Sequence, residues 1–259
     1  MNDVLTRVLA DLTAEGDRLE ALVATLDDAG WRTPTPAVGW DVAAQVGHLA
    51  WTDEVALAAA TDQARWDAHV LEAIADPTGY VDQQALVVAR DADLGTRWRT
   101  ARRELAVALA AYPRGEKMPW FGPPMSATSM ATARLMETWA HSLDVHEALG
   151  RAAEDTDAIR HVAHLAVRTR DFAFGVRGLE PPAEPFRVEL VSPSGEVWAF
   201  GPDDAAQAVA GSAADFCRLA TQRVHRADTD LVATGPDADR WLDIAQCFAG
   251  PPGTGRAPR

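Results

Sequence analysis

The stretch Met136-Glu137-Thr138-Trp139-Ala140-His141-Ser142-Leu143-Asp144-Val145-His146-Glu147-Ala148-Leu149-Gly150 decides how the rest of the chain is read. It continues a helix that starts after Pro123-Pro124, with Ser126 placed to cap it and Gly150 to end it. Glu137 and His141 are four residues apart, so they share one helical face with Cβ atoms roughly 5–6 Å apart. A carboxylate and an imidazole at that spacing can grip one divalent metal. A buried, hydrogen-bonded Glu–His pair accounts for the spacing equally well. Leu135, Leu143 and Val145 flank the two residues and set them against a core.

Working outward, a second stretch bears on the choice: Gly39-Trp40-Asp41-Val42-Ala43-Ala44-Gln45-Val46-Gly47-His48-Leu49-Ala50. Asp41 can cap a helix whose apolar residues Val42, Val46, Leu49 and Ala50 recur at helical spacing. His48 falls among them rather than on a charged face. Alone it reads as a core histidine. Together with Glu137 and His141 it offers a His–Glu–His set drawn from two helices of a bundle.

These two stretches resemble the metal-binding domain of mycothiol-dependent maleylpyruvate isomerases, a branch of the DinB-like four-helix-bundle superfamily. The resemblance is carried by Gly39, Trp40, Val42, His48 and Leu49, then by Glu137, His141, Asp144, Ala148 and Gly150. It spans about the first 150 residues and extends more loosely to the C-terminal part. It implies a divalent metal, zinc first among candidates, held by His48, Glu137 and His141 with positions left open. It also implies mycothiol as thiol co-substrate and a small-molecule substrate. Asp144 matches an acid of the motif and could act behind His141; a plain helix-surface acid is the alternative. The relatives include isomerases and thiol transferases, so the motif points to the metal more sharply than to the reaction.

Bulk composition agrees. Of 24 basic residues only Lys117 is lysine, a bias that goes with GC-rich coding, as in actinobacteria, the group that makes mycothiol. The net charge of −14 disfavours nucleic acid and anionic membrane partners. No stretch reads as a secretion signal or a membrane span, and two cysteines, Cys217 and Cys247, make no disulfide framework. The expectation is a cytoplasmic protein, monomer or homodimer.

The fold expected is mainly α: a DinB-like four-helix bundle over residues 1–179, then a small α+β, sterol-carrier-like domain over 186–250. Residues 2–29 read as one amphipathic helix, 41–61 as the next, 66–75 as a short one and 80–111 as a third long one. The segment 117–125, Lys-Met-Pro-Trp-Phe-Gly-Pro-Pro-Met, is either a loop tucked over the core or a lid at the mouth of the site. A helix over 156–176 carries His161 and His164, read as packing or surface residues. The Pro-rich run 178–185 is the expected domain boundary. Beyond it the period turns to alternation, with strands at 186–191, 196–200, 207–210 and 230–234 and helices at 212–221 and 237–248.

The tail Gly250-Pro251-Pro252-Gly253-Thr254-Gly255-Arg256-Ala257 imitates a phosphate-binding loop but has neither the Lys nor a following helix, so 251–259 is expected to be disordered. An anionic substrate would call for a cation near the metal. Arg223 and Arg226, either side of His225, are the candidates, with surface positions as the alternative.

Chemically, a metal with an open position can hold a thiol as thiolate at neutral pH. Glu137 then has a catalytic part as proton acceptor beside its part as ligand. The outcome is addition to, or substitution on, a small electrophile, as an isomerase or an S-transferase. A thiol-independent metal hydrolase or lyase, or a non-catalytic metal-binding protein, is the alternative.

Overall fold

The computed structural model describes residues 4–259, and the chain divides into two compact units, residues 1–153 and 154–259. The first holds seven helices among its described residues: α1 (Val4–Val23), α2 (Asp28–Trp31), α3 (Val42–Thr61), α4 (Gln63–Ala75), α5 (Tyr80–Val88), α6 (Leu94–Ala111) and α7 (Ala127–Ala148). Four of them form the bundle. α3 packs on α6 and α7, and α1 packs on the same two from the other side.

The local chemistry explains the breaks that the sequence pattern alone passes over. The expected helix 2–29 is interrupted after Val23, because Asp27 turns its carboxylate to the Gly30 N–H at 2.8 Å and starts α2. The expected helix 80–111 is two helices. Asp91 Oδ1 accepts the Asp93 N–H at 2.9 Å, a local turn that competes with continuing the helix. α3 and α7 begin where expected, capped by Asp41 onto Ala44 N–H and by Ser126 onto Ser129 N–H.

α3 is the central element. Nearly all its faces are buried, since α4, α5, α6 and α7 all pack on it. At Gly47 the end of α5 comes so close that a Cβ would lie 2.6 Å from the Ala85 carbonyl oxygen and 2.9 Å from the Ala89 nitrogen. Only glycine fits there. The contact fixes the α3 backbone one residue before His48.

A second buried link joins α3, α6 and α7. Arg134 Nε donates to Asp53 Oδ1 at 2.8 Å, and Trp98 Nε1 donates to Asp53 Oδ2 at 3.2 Å, with all three side chains buried. Burial pushes the Asp53 carboxyl above its ordinary range, and Arg134 only partly offsets that.

The second unit starts with a 3-10 turn (Asp157–Ile159), α8 (Arg160–Arg168) and α9 (Arg170–Gly175). It continues with β1 (Phe186–Val191), β2 (Val197–Phe200), β3 (Gln207–Ser212), α10 (Ala213–Ala220), a 3-10 turn (Arg226–Asp228), β4 (Val232–Thr234) and α11 (Pro236–Ile244). The strands form one sheet in the order β2-β1-β3-β4, with β1 and β3 parallel and both outer pairs antiparallel. Phe186, Val188 and Leu190 alternate inward, and Phe186, Phe216 and Trp241 meet edge to face in the core.

The unit division corrects the expected boundary. α8 and α9 belong with the sheet, since α8 packs on α10 and β2 and α9 on α11. The Pro-rich run is tied down inside this unit: the Arg170 guanidinium donates to the carbonyls of Pro182 and Glu184. The expected disorder of 251–259 is corrected as well. These residues lack regular structure but pack, with Gly253–Arg256 walling a cavity and the Arg259 N–H on Asp228 Oδ2 at 2.9 Å.

Candidate metal centre

α3 and α7 bring together three side chains separated by 89 residues of sequence. Glu137 Oε2 lies 3.2 Å from His48 Nε2 and 3.1 Å from His141 Nε2. One ligand atom from each residue falls within 4.8 Å of the other two, and the imidazole centroids are 4.5 Å apart. His48 is buried, and Glu137 and His141 are partly buried.

The network behind His141 fixes the place of one ring proton. His141 Nδ1 lies 2.5 Å from Gln45 Oε1. The orientation of that amide follows from its other end, where Gln45 Nε2 donates to Thr35 Oγ1 at 2.9 Å. Thr35 Oγ1 in turn donates to the Trp40 carbonyl, also at 2.9 Å. Each link sets the next, so Gln45 Oε1 must accept and His141 Nδ1 must carry the proton.

With Nδ1 protonated, His141 Nε2 faces a carboxylate oxygen at 3.1 Å, either donating to it as an imidazolium or, in the neutral ring, turning a lone pair toward it. That contact is repulsive unless a proton or a metal cation lies between them. Burial alone would raise the Glu137 carboxyl, but the hydrogen-bonding imidazoles of His141 and His48 outweigh it and hold it ionised, well below the usual carboxylate range. An ionised carboxylate and two ring nitrogens are a donor set suited to zinc and other divalent transition metals.

Trp40 closes one side. Its ring stacks on His141 at 5.9 Å between centroids and 18° between planes, and tilts against His48 at 5.4 Å. The left-handed backbone of Gly39, φ +82°, precedes it. On the other side of His48, Trp51 meets Tyr80 edge-on, and Tyr80 meets Phe121. The segment 117–125 is closed by backbone pairing of Met118 with Met125, and its Trp120 and Phe121 pack on Trp66 of α4.

The remaining expected residues are placed as follows. Asp144 is buried on α7, while the Nδ1–H of His141, the group an orienting acid would hold, is taken by Gln45. His146 turns back onto its own helix, its Nδ1–H donating to the Ser142 carbonyl at 2.9 Å. Arg223 is in the second unit and donates to the Thr221 carbonyl at 2.6 Å, and Arg226 is held by Asp239 and Asp243. Cys217 and Cys247 are buried thiols, as expected, and burial pushes Cys217 well up from its ordinary value. Gln45 and Thr35 were missed. A glutamine on the apolar face of a helix, three residues before a histidine, was the signal available.

The chain is thus a helical bundle with a two-histidine, one-carboxylate cluster on facing helices that could hold a metal, followed by a small α+β unit. The comparisons narrow it. Residues 12–146 match the family described as Mycothiol maleylpyruvate isomerase N-terminal domain, and the chain belongs to that family. Residues 182–234 match the family described as Wyosine base formation. Two proteins of Mycobacterium tuberculosis strains, both named as uncharacterized, are 58% identical over 250 residues, which is 96% of this chain and 97% of each relative. The crystal structure of the mycothiol-dependent maleylpyruvate isomerase superposes with a TM-score of 0.60 at 16% identity, covering 92% of this chain and 98% of that one. At that identity the likeness is one of fold. No helix among the described residues is long and apolar enough to cross a membrane.

Proposed function

We propose that this chain is a metal-dependent enzyme that uses mycothiol to attack a small electrophilic substrate, as an isomerase or an S-transferase. The observation that carries the reading is the convergence of His48 Nε2, a Glu137 carboxylate oxygen and His141 Nε2 on one point, with His141 Nδ1–H taken up by Gln45. That arrangement suits a cation. His48 Nε2, the Glu137 carboxylate and His141 Nε2 would hold the metal. Three protein ligands leave room for a further one, which a closed structural zinc site does not. Membership in a family named for a mycothiol enzyme supports the choice of thiol.

A divalent metal there supplies Lewis acidity, which favours thiolate over thiol near neutral pH. The chain's own residues do the rest. Gln45 holds His141 in one tautomer and one orientation. Trp40 covers both imidazoles and excludes water from that side. Glu137, held ionised, would accept the thiol proton on a carboxylate oxygen.

The test is turnover of an activated alkene with and without mycothiol. Glu137→Gln keeps the shape and one oxygen but removes the charge, and should lower thiol-dependent turnover by on the order of 10²-fold while retaining some metal. Equal turnover by the unaltered protein without thiol would place the chain among metal hydrolases or lyases instead. Metal retention with no turnover of any electrophile would mark a non-catalytic binding protein.

A further inference from the structure

The second unit contains a cavity of about 470 Å³ that plays no part in the reading above. It lies between the end of α9, the turn after α10, α11 and the C-terminal tail. Leu219 and Val224 give it an apolar side, and Arg177, Gln222, His225, Thr229, Thr254 and Arg256 line it with donors, of which three carry the argument.

The first is Arg177. Its Nη1 donates to the Ile244 carbonyl at 3.1 Å, and it makes no ion pair with a carboxylate among the described residues. Its pKa is lowered by burial, with nothing to offset it. A half-buried guanidinium without a counter-ion is costly, and an incoming anion removes that cost. The neighbouring Arg226 differs, being committed to Asp239 and to Asp243, the one acid lining the cavity.

The second is Gln222, the one non-glycine residue with positive φ (61°) among the described residues. Its carboxamide has no hydrogen-bond partner in the described chain, and the tail closes against it. A Cβ on Gly253 would lie 2.5 Å from Gln222 Oε1. The left-handed backbone belongs to the stop of α10, where the Gln222 N–H meets the Leu219 carbonyl and the Arg223 N–H the Arg218 carbonyl, and it aims the side chain at the cavity. The third is His225. Its Nδ1 accepts the Ala227 N–H at 3.0 Å, so in the neutral ring the proton is on Nε2, a further donor.

We infer that this cavity binds a small organic monoanion, a carboxylic acid with an apolar body, whose carboxylate meets Arg177 with Gln222 and His225 alongside. Arg177, a guanidinium without an acid beside an Arg226 that two acids already neutralise, calls for a negative charge, and Leu219 and Val224 leave room for an apolar body. In a chain of net charge −14 such a site has to be built locally, by pairing off Arg226 and leaving Arg177 without an acid.

The experiment is titration calorimetry of the full chain with 4-phenylbutyrate and its neutral amide, 4-phenylbutyramide. The acid should bind saturably, one per chain, and at least tenfold more tightly than the amide. Arg177→Gln should weaken the acid at least tenfold and leave the amide unchanged. His141→Ala, in the other unit, should leave acid binding within twofold. Equal binding of acid and amide, no saturable binding of the acid, or full affinity in Arg177→Gln would each overturn the inference. Loss of acid binding in His141→Ala would place the acid at the metal centre and overturn it too. If Arg177→Gln does not fold, the acid–amide contrast in the unaltered chain decides.

Discussion

The two sites are built on opposite plans. The metal centre is set on α3 and α7, two long capped helices buried on nearly every side, and each polar atom behind His141 is held by the next. The cavity of the second unit is walled by the turn that ends α10, with Gln222 in it, and by the C-terminal tail. Chemistry at a metal needs ligands fixed to a fraction of an ångström, and a packed bundle supplies that. Capture of a small acid tolerates looser walls, and loops and tails supply those.

The comparison breaks if the bundle proves tolerant of change beneath its ligands. The largest effect is expected from Asp53→Ala, which leaves Arg134 as a buried charge without its partner. It should cost about 3–5 kcal/mol in urea unfolding and lower metal occupancy. A loss under 1 kcal/mol would mean that the pair does not brace the two ligand helices. Replacing both residues with apolar ones of similar volume should recover much of the loss.

Gly47→Ala comes next. The added methyl must push α5 away from α3 beside His48, at a cost of roughly 1–3 kcal/mol. The diagnostic readout is a weaker metal Kd, measured by chelator competition, together with the lower Tm. Unchanged metal affinity would separate the α5 contact from the site.

Asp41→Ala removes the cap of α3 and should cost about 0.5–2 kcal/mol by denaturant melts, with the metal retained.

The smallest effect belongs to the second unit and concerns pH. Burial, then Arg168 and His161, lowers the His164 pKa in the folded state. The unfolded chain then binds more protons than the folded one just below the ordinary histidine value of about 6.5. Stability from this group is present above that value and falls as the pH drops toward the lowered one. His164→Gln should flatten the loss of unfolding free energy between about pH 6.5 and 5. An unchanged slope would remove His164 as its source.

What could be read from sequence divides along the same line. Glu137 and His141 were legible because helical spacing converts sequence distance directly into a shared face, and His48 because it lies among apolar positions in a stretch that resembles the family's motif. The caps Asp41 and Ser126 and the strand Phe186–Val191 were legible for similar reasons. The break at residues 89–93 was not, since it rests on one Asp91–Asp93 turn inside an otherwise periodic run. The unit boundary was misplaced because proline and glycine mark a loop but not which side of it packs where. The roles of Gln45 and Thr35 depend on a contact between a loop and a helix, and the role of the tail depends on a contact with Gln222. No periodicity encodes either.

The central claim is that the His48–Glu137–His141 cluster is a metal site rather than a hydrogen-bonded core triad. It is tested most directly by metal content of the purified protein. The account predicts about one divalent metal per chain in the unaltered protein and a small fraction of that in His48→Ala and His141→Ala, with helical circular dichroism retained. Full metal occupancy in both folded variants, or none in the unaltered protein after growth and dialysis with zinc, would contradict it.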